Sequence, residues 1–250
     1  MSVRLEIQGQ IAHLLIDRAD KRNAFTIAMW QAMPDLLERA ANNSDLRLMV
    51  IRAAEPGQAF CAGADIKELL ANKDDEGWRV ANQAAINRVQ FELARHPLPT
   101  IAFVEGDCVG GGCGIALACD LRVANVNARF GITPAKLGLV YPLHDVKLLT
   151  DLVGPGQARR ILYTGGLIDA DEAHRIGLVE FVAESPDALA AEISANSSHS
   201  VREMKRFIRR VLDGQVDDDA DTRRIFAEAF VGADFLEGTT AFVEKRQSKF

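Results

Sequence analysis

Hydrophobic and polar positions alternate at the start of the chain and then change to a helical period. The alternation over residues 3–7, the turn at Gly9 and the apolar run over 11–16 predict a β-hairpin. Thr26 precedes a predicted helix and is suited to cap it. The apolar face of that helix consists of Ile27, Trp30, Met33 and Leu37. Pro34 lies inside the same pattern, so we expect a bend there.

The middle of the chain alternates short apolar runs with helical patterns. The runs over residues 46–51, 100–104 and 121–124 predict buried strands. Residues 75–95 have a helical period, which Pro97 ends. Strands that alternate with helices favour parallel pairing through right-handed crossovers, so the sequence predicts the α/β class.

The last quarter of the chain is helical in pattern. Strand signals stop near Glu184, and the helical patterns that follow are interrupted near Gly214 and Gly232. A helical region of this size is too small to bury a core of its own. We therefore predict two parts, an α/β core over residues 1–190 and a C-terminal helical region over 191–250 that packs on the core or on another subunit.

Composition and charge narrow the class of protein. The 250 residues are 48% hydrophobic and 26% charged, which is ordinary for a globular protein. Thirty-five acidic and 29 basic residues give a formal charge of −6, which argues against broad binding to nucleic acid or an anionic membrane. No apolar run reaches the roughly 18 residues of a membrane span, and the N-terminus does not resemble a signal peptide. We expect a cytoplasmic protein.

The cysteines and histidines do not follow a metal-binding pattern. The four cysteines have neither zinc nor iron–sulfur spacing, and the five histidines are scattered. We expect no metal site, and small buried thiols in a reducing compartment. The cysteines are Cys61, Cys108, Cys113 and Cys119.

Two glycine-containing segments are the strongest candidates for chemistry. Gly110–Gly112 follow a predicted strand, and three missing side chains let the backbone approach a ligand closely. A helix that begins there directs free N–H groups at an anion or a polarised carbonyl oxygen. Ala62–Asp65 is a second such segment, with Asp65 placed to cap a helix. Tight helix–strand packing for the first segment and an ordinary helix start for the second are the alternatives.

Taken together, Phe60–Ile66 and Gly106–Gly112 resemble the enoyl-CoA hydratase/isomerase (crotonase) superfamily. Other segments also resemble the superfamily, in the same order along the chain. They are Asp20–Ala24, Ala118–Leu121, Phe130–Gly131, Ala170–Ala173, Gly177–Val179 and Glu237–Arg246. The resemblance implies an α/β fold with a crotonase-like ββα spiral core. It also implies a helical C-terminal region that assembles homotrimers or hexamers (dimers of trimers), and acyl-CoA thioester substrates.

The resemblance further implies an oxyanion hole made of two backbone N–H groups, which correspond to Ala64 and Gly111. Each such donor contributes on the order of 3 kcal/mol to stabilising a thioester enolate. CoA enters as part of the substrate, and no metal or redox cofactor is implied. The residues implied to contact substrate or CoA are Lys21, Arg22, Ala24, Ala62, Asp65, Ile66, Gly110, Pro134, Leu137 and Phe242. The alternatives are a solvated loop for Lys21 and Arg22 and a core contact for Phe242.

The sequence departs from the superfamily at both positions of the hydratase glutamates. Counted without a gap from the triple glycine, these positions hold Gly114 and Pro134, and neither can transfer a proton. Residues 133–141 resemble methylmalonyl-CoA decarboxylase-like members, in which Thr-Pro replaces the glutamate and a tyrosine matches Tyr141. Those decarboxylases carry histidine at the position of Ala64, so this resemblance is incomplete.

Three side chains are candidates for acid–base chemistry. Tyr141 is expected to face the acyl group, with a role as pocket wall as the alternative. His144 and Asp145 follow in a predicted loop and could supply an acid or base, with a surface pair as the alternative.

Three functions are therefore open. The first is a lyase or isomerase of the family that lacks both hydratase glutamates, and the second is a decarboxylase of a malonyl-type acyl-CoA. The third is a non-catalytic acyl-CoA-binding relative. An RNA-binding relative is disfavoured by the acidic charge, and the basic stripe over residues 202–210 is expected to be a solvated helix face.

Overall fold

The computed structural model describes residues 2–250 and shows an α/β architecture. The strands are β1 (Val3–Gln8), β2 (Ile11–Ile16), β3 (Leu48–Ala53), β4 (Thr100–Val104), β5 (Asp107–Val109), β6 (Leu121–Ala124), β7 (Arg129–Gly131), β8 (Ile168–Asp169) and β9 (Phe181–Val182). The helices are α1 (Ile27–Ala41), α2 (Ile66–Ala71), α3 (Glu76–Ala94), α4 (Gly111–Ala118), α5 (Leu143–Thr164), α6 (Ala170–Arg175), α7 (Asp187–Ser194), α8 (Ser198–Leu212), α9 (Ala220–Ala229) and α10 (Ala233–Glu244).

The strands form a large sheet and a small one. The large sheet has the order β1-β2-β3-β4-β6-β9, and only the β1–β2 hairpin in it is antiparallel. The small sheet has the order β5-β7-β8, with β5 and β7 parallel. Two turns of the chain cross both sheets before a helix, because β4 leads into β5 before α4 and β6 leads into β7 before α5. The ββα spiral is therefore confirmed.

The predicted hairpin, first helix and buried strands are confirmed. The Thr26 side chain caps α1 by accepting a hydrogen bond from the N–H of Met29, and the helix continues through Pro34. Helices α1, α3 and α4 pack on the inner face of the large sheet, where the main hydrophobic core lies. On the outer face, Ala190 of α7 joins a smaller cluster with residues such as Phe103.

One predicted loop is a helix. His144 and Asp145 were predicted to lie in a loop, but they lie in the first turn of α5. Pro142 precedes this helix with an extended conformation, which suits a residue just before a first helical turn. The prediction was wrong because Gly154 and Pro155 interrupt the helical pattern of α5. The structure accommodates both at a kink where Gly154 has a φ of 72°.

The C-terminal helices end near the predicted breaks. Gly214 lies between α8 and α9, and Gly232 is the N-cap residue of α10. The basic side chains of α8 are paired: Arg206 and Arg210 contact Asp221 on α9. No helix within residues 2–250 combines the length and the apolar character that a membrane span requires.

Candidate active site

One half of the candidate site is the backbone around Ala64. The N–H of Phe25 donates to the Gly63 carbonyl, and the N–H of Asp65 donates to the Phe25 carbonyl, each at 2.8 Å. In this parallel bridge the residue between the two bonded peptides directs its own N–H to the opposite side. The Ala64 N–H therefore points away from the loop that carries Phe25. Gly63 has a φ of +99°, which side chains rarely adopt.

The second half of the backbone site is the start of α4. The N–H of Gly110 donates to the Gly131 carbonyl at 2.8 Å, and the chain then turns into the helix at Gly111. A Cβ placed on Gly112 would lie 2.4 Å from the Cys61 carbonyl oxygen, so only glycine permits this close packing. A Cβ on Gly63 would lie 3.8 Å from the nitrogen of Gly111. The two segments are thus adjacent.

The N–H groups of Ala64 and Gly111 are both available to a ligand. Within residues 2–250, neither Ala64 nor Gly111 donates its N–H to a backbone or side-chain acceptor. At Gly111 this follows from helix geometry, because the first N–H groups of a helix have no partner one turn earlier. Two unpartnered donors on adjacent segments can bind one oxygen that carries negative charge.

The loop over residues 20–24 lies against this backbone. The Ala62 N–H donates to the Arg22 carbonyl at 3.0 Å. Asn23 is buried, and its amide donates to the Ala59 carbonyl at 2.7 Å. The Arg22 guanidinium contacts the buried carboxylate of Asp107. Neither Asn23 nor Asp107 was predicted as a site residue. For Asn23 a signal was present, because an asparagine in a loop often hydrogen-bonds to the backbone.

The remaining predicted CoA contacts lie around the loop or on the last helix. Asp65 caps α2 and pairs with Arg18 at 2.8 Å, and this hydrogen bond lowers the pKa of the Asp65 carboxyl. Lys21 and Ile66 are exposed, and Ala24 and Ala62 are half-buried. The Phe242 side chain is 85% exposed on α10, so the alternative of a core contact is excluded.

Tyr141 lies against the glycine loop. Its hydroxyl donates a hydrogen bond to the Gly110 carbonyl at 3.0 Å. Burial raises the pKa of Tyr141 well above its usual value, so the hydroxyl stays protonated at neutral pH. The structure therefore gives Tyr141 a backbone partner that the sequence did not predict. The predicted contact residues Pro134 and Leu137 lie on the loop after β7, where Pro134 begins a short 3₁₀ turn that ends at the exposed Leu137.

The space beside Gly114 is occupied by side chains of neighbouring helices. A Cβ on Gly114 would lie 2.1 Å from Nε2 of Gln90 and 3.0 Å from Oδ2 of Asp145. Asp145 is 1% exposed, and burial raises the pKa of its carboxyl to about 7, while the Gln90 amide lowers it in part. Gln90 was missed, because a lone glutamine in a helical pattern carries no signal.

His144 is close to Asp145 but is not hydrogen-bonded to it. Its Nδ1 lies 3.6 Å from Oδ1 of Asp145, beyond hydrogen-bond distance, and its ring lies 6.5 Å from that of Phe91. Burial and the positive charges of Arg95 and Arg209 lower the pKa of His144. The imidazole is therefore neutral at pH 7. His144 and Asp145, which were predicted to act as a pair, therefore have different surroundings.

Comparison with known proteins shows the family of the chain. The family model for enoyl-CoA hydratase/isomerase matches residues 6–250. The chain belongs to the enoyl-CoA hydratase/isomerase family. It is 34% identical to a short-chain-enoyl-CoA hydratase of Clostridium acetobutylicum, over 98% of this chain and 96% of the relative.

Solved structures of enoyl-CoA hydratase/isomerase family members share the fold. A family protein from Hyphomonas neptunium has a TM-score of 0.95 and 39% identity, covering 100% of this chain and 97% of that one. An enoyl-CoA hydratase from Bacillus anthracis has a TM-score of 0.90 and 29% identity, covering 100% and 99%. The resemblance stated from the sequence is confirmed.

The cysteines of this family member are buried thiols, as the sequence predicts. Burial raises the pKa of Cys61 and of Cys119 to about 12, so neither is a thiolate at neutral pH. The Cys113 thiol donates to the Cys108 carbonyl at 2.9 Å. Among residues 2–250, no three histidine, cysteine, aspartate or glutamate side chains group as metal ligands do.

Proposed function

We propose that this member of the enoyl-CoA hydratase/isomerase family is an enzyme that stabilises an acyl-CoA thioester enolate with the N–H groups of Ala64 and Gly111. The observation that carries the proposal is the pair of unpartnered N–H groups on adjacent, tightly packed segments. Each preorganised donor contributes on the order of 3 kcal/mol in a dry site. The reaction needs no metal or redox cofactor, because CoA enters as part of the substrate and the two N–H groups hold the charge.

We propose further that the enzyme does not hydrate by the two-glutamate mechanism. Gly114 has no side chain, the space beside it is filled by Gln90 and Asp145, and Pro134 carries no acid. Each lost acid or base typically lowers a rate by 10²–10⁴-fold. A lyase or isomerase reaction, with proton transfer at the carbon next to the thioester, is the class that one acid–base group can serve.

Crotonyl-CoA hydration tests this proposal. We expect a rate at least 10⁴-fold below that of an ordinary hydratase measured beside it, because two acid–base groups are replaced. The control is calorimetry with the same thioester, which should show binding. Hydration at an ordinary rate would contradict the proposal, and so would the absence of binding to a panel of acyl-CoAs.

The decarboxylase and binding-protein alternatives have less support. Tyr141 is the residue on which decarboxylation depended, and its proton is donated to the Gly110 carbonyl. A hydroxyl used in this way is not available to orient a substrate carboxylate by donating to it. The non-catalytic alternative requires that Asp145 have no role. Loss of proton exchange in Asp145→Asn would exclude this alternative.

We also propose a homotrimer or a hexamer that forms through the C-terminal helices. An aromatic cluster is exposed there: ring centroids of Phe226 and Phe230 are 5.4 Å apart, and those of Phe230 and Phe235 are 5.3 Å apart. Contiguous exposed apolar groups of this kind mark interaction surfaces. Phe242 on α10 is then available to contact CoA bound to a neighbouring subunit. Light scattering tests the assembly, and a monomeric mass would contradict it.

A further inference from the structure

We propose that Asp145 is the group that transfers the substrate proton and that Gln90 is a positioning residue that holds its carboxyl beside Gly114. This inference rests on the proposed enolate function and goes beyond it by naming the acid–base unit. Both side chains reach the same point in the structure, from α3 in the case of Gln90 and from α5 in the case of Asp145.

The helix geometry places this unit near the oxyanion hole. Gly114 follows Gly111 by three residues in α4, so the two lie on the same helix face, about 4.5 Å apart along the axis at 1.5 Å per residue. Because Gly114 has no Cβ, side chains from the neighbouring helices occupy that face. A carboxyl there lies within one helical turn of the N–H that is proposed to hold the thioester oxygen.

Three polar atoms of this unit are buried without a hydrogen bond of normal geometry in the part of the chain that the structure describes. Gln90 is 0% exposed, and its amide is close enough to the Asp145 carboxyl to lower that pKa, but neither amide atom makes a hydrogen bond of normal geometry within residues 2–250. The same is true of Oδ1 of Asp145. Buried polar groups are normally hydrogen-bonded, so exceptions require an explanation. Three unpartnered atoms around one point are explained by a site that exchanges a proton.

A glutamine suits a carboxyl that alternates between two protonation states. The amide N–H can donate to the carboxylate, and after rotation the amide oxygen can accept from the protonated acid. Gln90 can therefore stabilise Asp145 both before and after proton transfer. The titratable groups near Asp145 are Tyr141 and His144. The residues next to it on α3 and α4 are Gln90 and Gly114, which carry no charge.

The proposed step balances without another reactant. The Asp145 carboxylate takes a proton from the carbon next to the thioester carbonyl. The C–H electron pair forms the carbon–carbon double bond of the enolate, and the negative charge moves to the oxygen held by Ala64 and Gly111. Return of the proton from the carboxyl to the enolate reverses the step.

The experiment follows proton exchange in the saturated thioester butyryl-CoA, which can form an enolate but cannot be hydrated. The full-length protein is incubated in D₂O, and deuterium at the carbon next to the carbonyl is measured by mass spectrometry. We expect Asp145→Asn to lower the exchange rate at least 100-fold and Gln90→Leu to lower it at least tenfold. Gln83→Leu, an exposed glutamine on the same helix, is the matched control and should leave the rate unchanged.

A second measurement does not depend on activity. Infrared titration, assigned by subtracting Asp145→Asn, gives the ionisation midpoint of the Asp145 carboxyl. Gln90→Leu should move this midpoint upward, because the Gln90 amide favours the carboxylate. Gly114→Ala should move it in the same direction, because its methyl group would displace the Gln90 amide. This second variant keeps the test valid if Gln90→Leu does not fold.

The outcomes separate this inference from the function on which it rests. Exchange that persists in Asp145→Asn would contradict the role of Asp145. A midpoint that is the same in Gln90→Leu, Gly114→Ala and the wild type would contradict the role of Gln90. Absence of exchange in the wild-type protein would instead overturn the proposed enolate function, whatever the titration shows.

Discussion

The two halves of the site are built differently. Around Ala64 and Gly111 the neighbouring peptides are held by backbone hydrogen bonds, and a side chain at Gly112 would overlap the Cys61 backbone. Around Asp145 the groups are side chains, and several buried polar atoms have no protein partner within residues 2–250. The chain fold thus fixes the two N–H groups that are proposed to bind the negative charge. The carboxyl that is proposed to move the proton is held by a few replaceable side chains.

Gly112→Ala is expected to break the backbone half and to have the largest effect. The added methyl would lie 2.4 Å from the Cys61 carbonyl oxygen and 2.8 Å from its Cβ, and backbone cannot yield as a side chain does. We expect the free energy of unfolding to fall by at least about 4 kcal/mol, measured by urea denaturation. Gly111→Ala is the matched control, because its methyl would meet only the Trp30 ring, at 3.2 Å. Equal stability of the two variants would contradict this packing.

The pH dependence of stability tests whether the buried Asp145 carboxyl is protonated in the folded protein. The pKa of Asp145 is about 7 in the folded protein, against roughly 4 in an unfolded chain. The folded state therefore binds more protons between pH 4 and 7, and this group makes stability fall as pH rises through that range. Asp145→Asn removes this contribution. Between pH 4 and 8 the unfolding free energy of the variant should therefore rise relative to that of the wild type, by at most about 4 kcal/mol.

Urea denaturation of the wild type and Asp145→Asn at pH 4, 6 and 8 checks this prediction. The difference in unfolding free energy should grow in favour of the variant with each step. Above pH 8 it should change little, because Asp145 is ionised in both states. A difference that is independent of pH would mean that the carboxyl is ionised in the folded protein throughout the range.

Tyr141→Phe is expected to have the smallest effect. The hydroxyl donates to the Gly110 carbonyl, which also accepts from the N–H of Gly114, so its loss leaves that carbonyl with one partner. We expect the unfolding free energy to fall by about 1 kcal/mol. Because the proton is held by the backbone, kcat on the true substrate should fall less than threefold. A loss of tenfold or more, with KM unchanged, would restore Tyr141 as a catalytic residue.

The sequence predicted the fold to the extent that its elements are long or strongly patterned. The hairpin, α1, α3 and the main parallel strands have clear periods. In contrast, β5 and β7 have three residues each, and no period can be recognised over that length. The small sheet is therefore visible only in the structure.

The candidate site was predicted unevenly for a related reason. Ala64 and Gly111 lie in glycine-containing segments whose spacing is recognisable along the chain. Gln90 contributes through its position in space, 24 residues before Gly114, and no local pattern connects them. Asp145 was identified as a candidate, but its burial and its separation from His144 depend on helix packing.

The central claim is that the N–H groups of Ala64 and Gly111 hold the thioester oxygen. Infrared difference spectroscopy of butyryl-CoA labelled with ¹³C at the thioester carbonyl tests it most directly. On binding to the wild-type protein, the carbonyl stretch should move to lower frequency than in the free thioester, because two donors polarise the bond. Bound thioester with the carbonyl frequency of the free molecule would contradict the account.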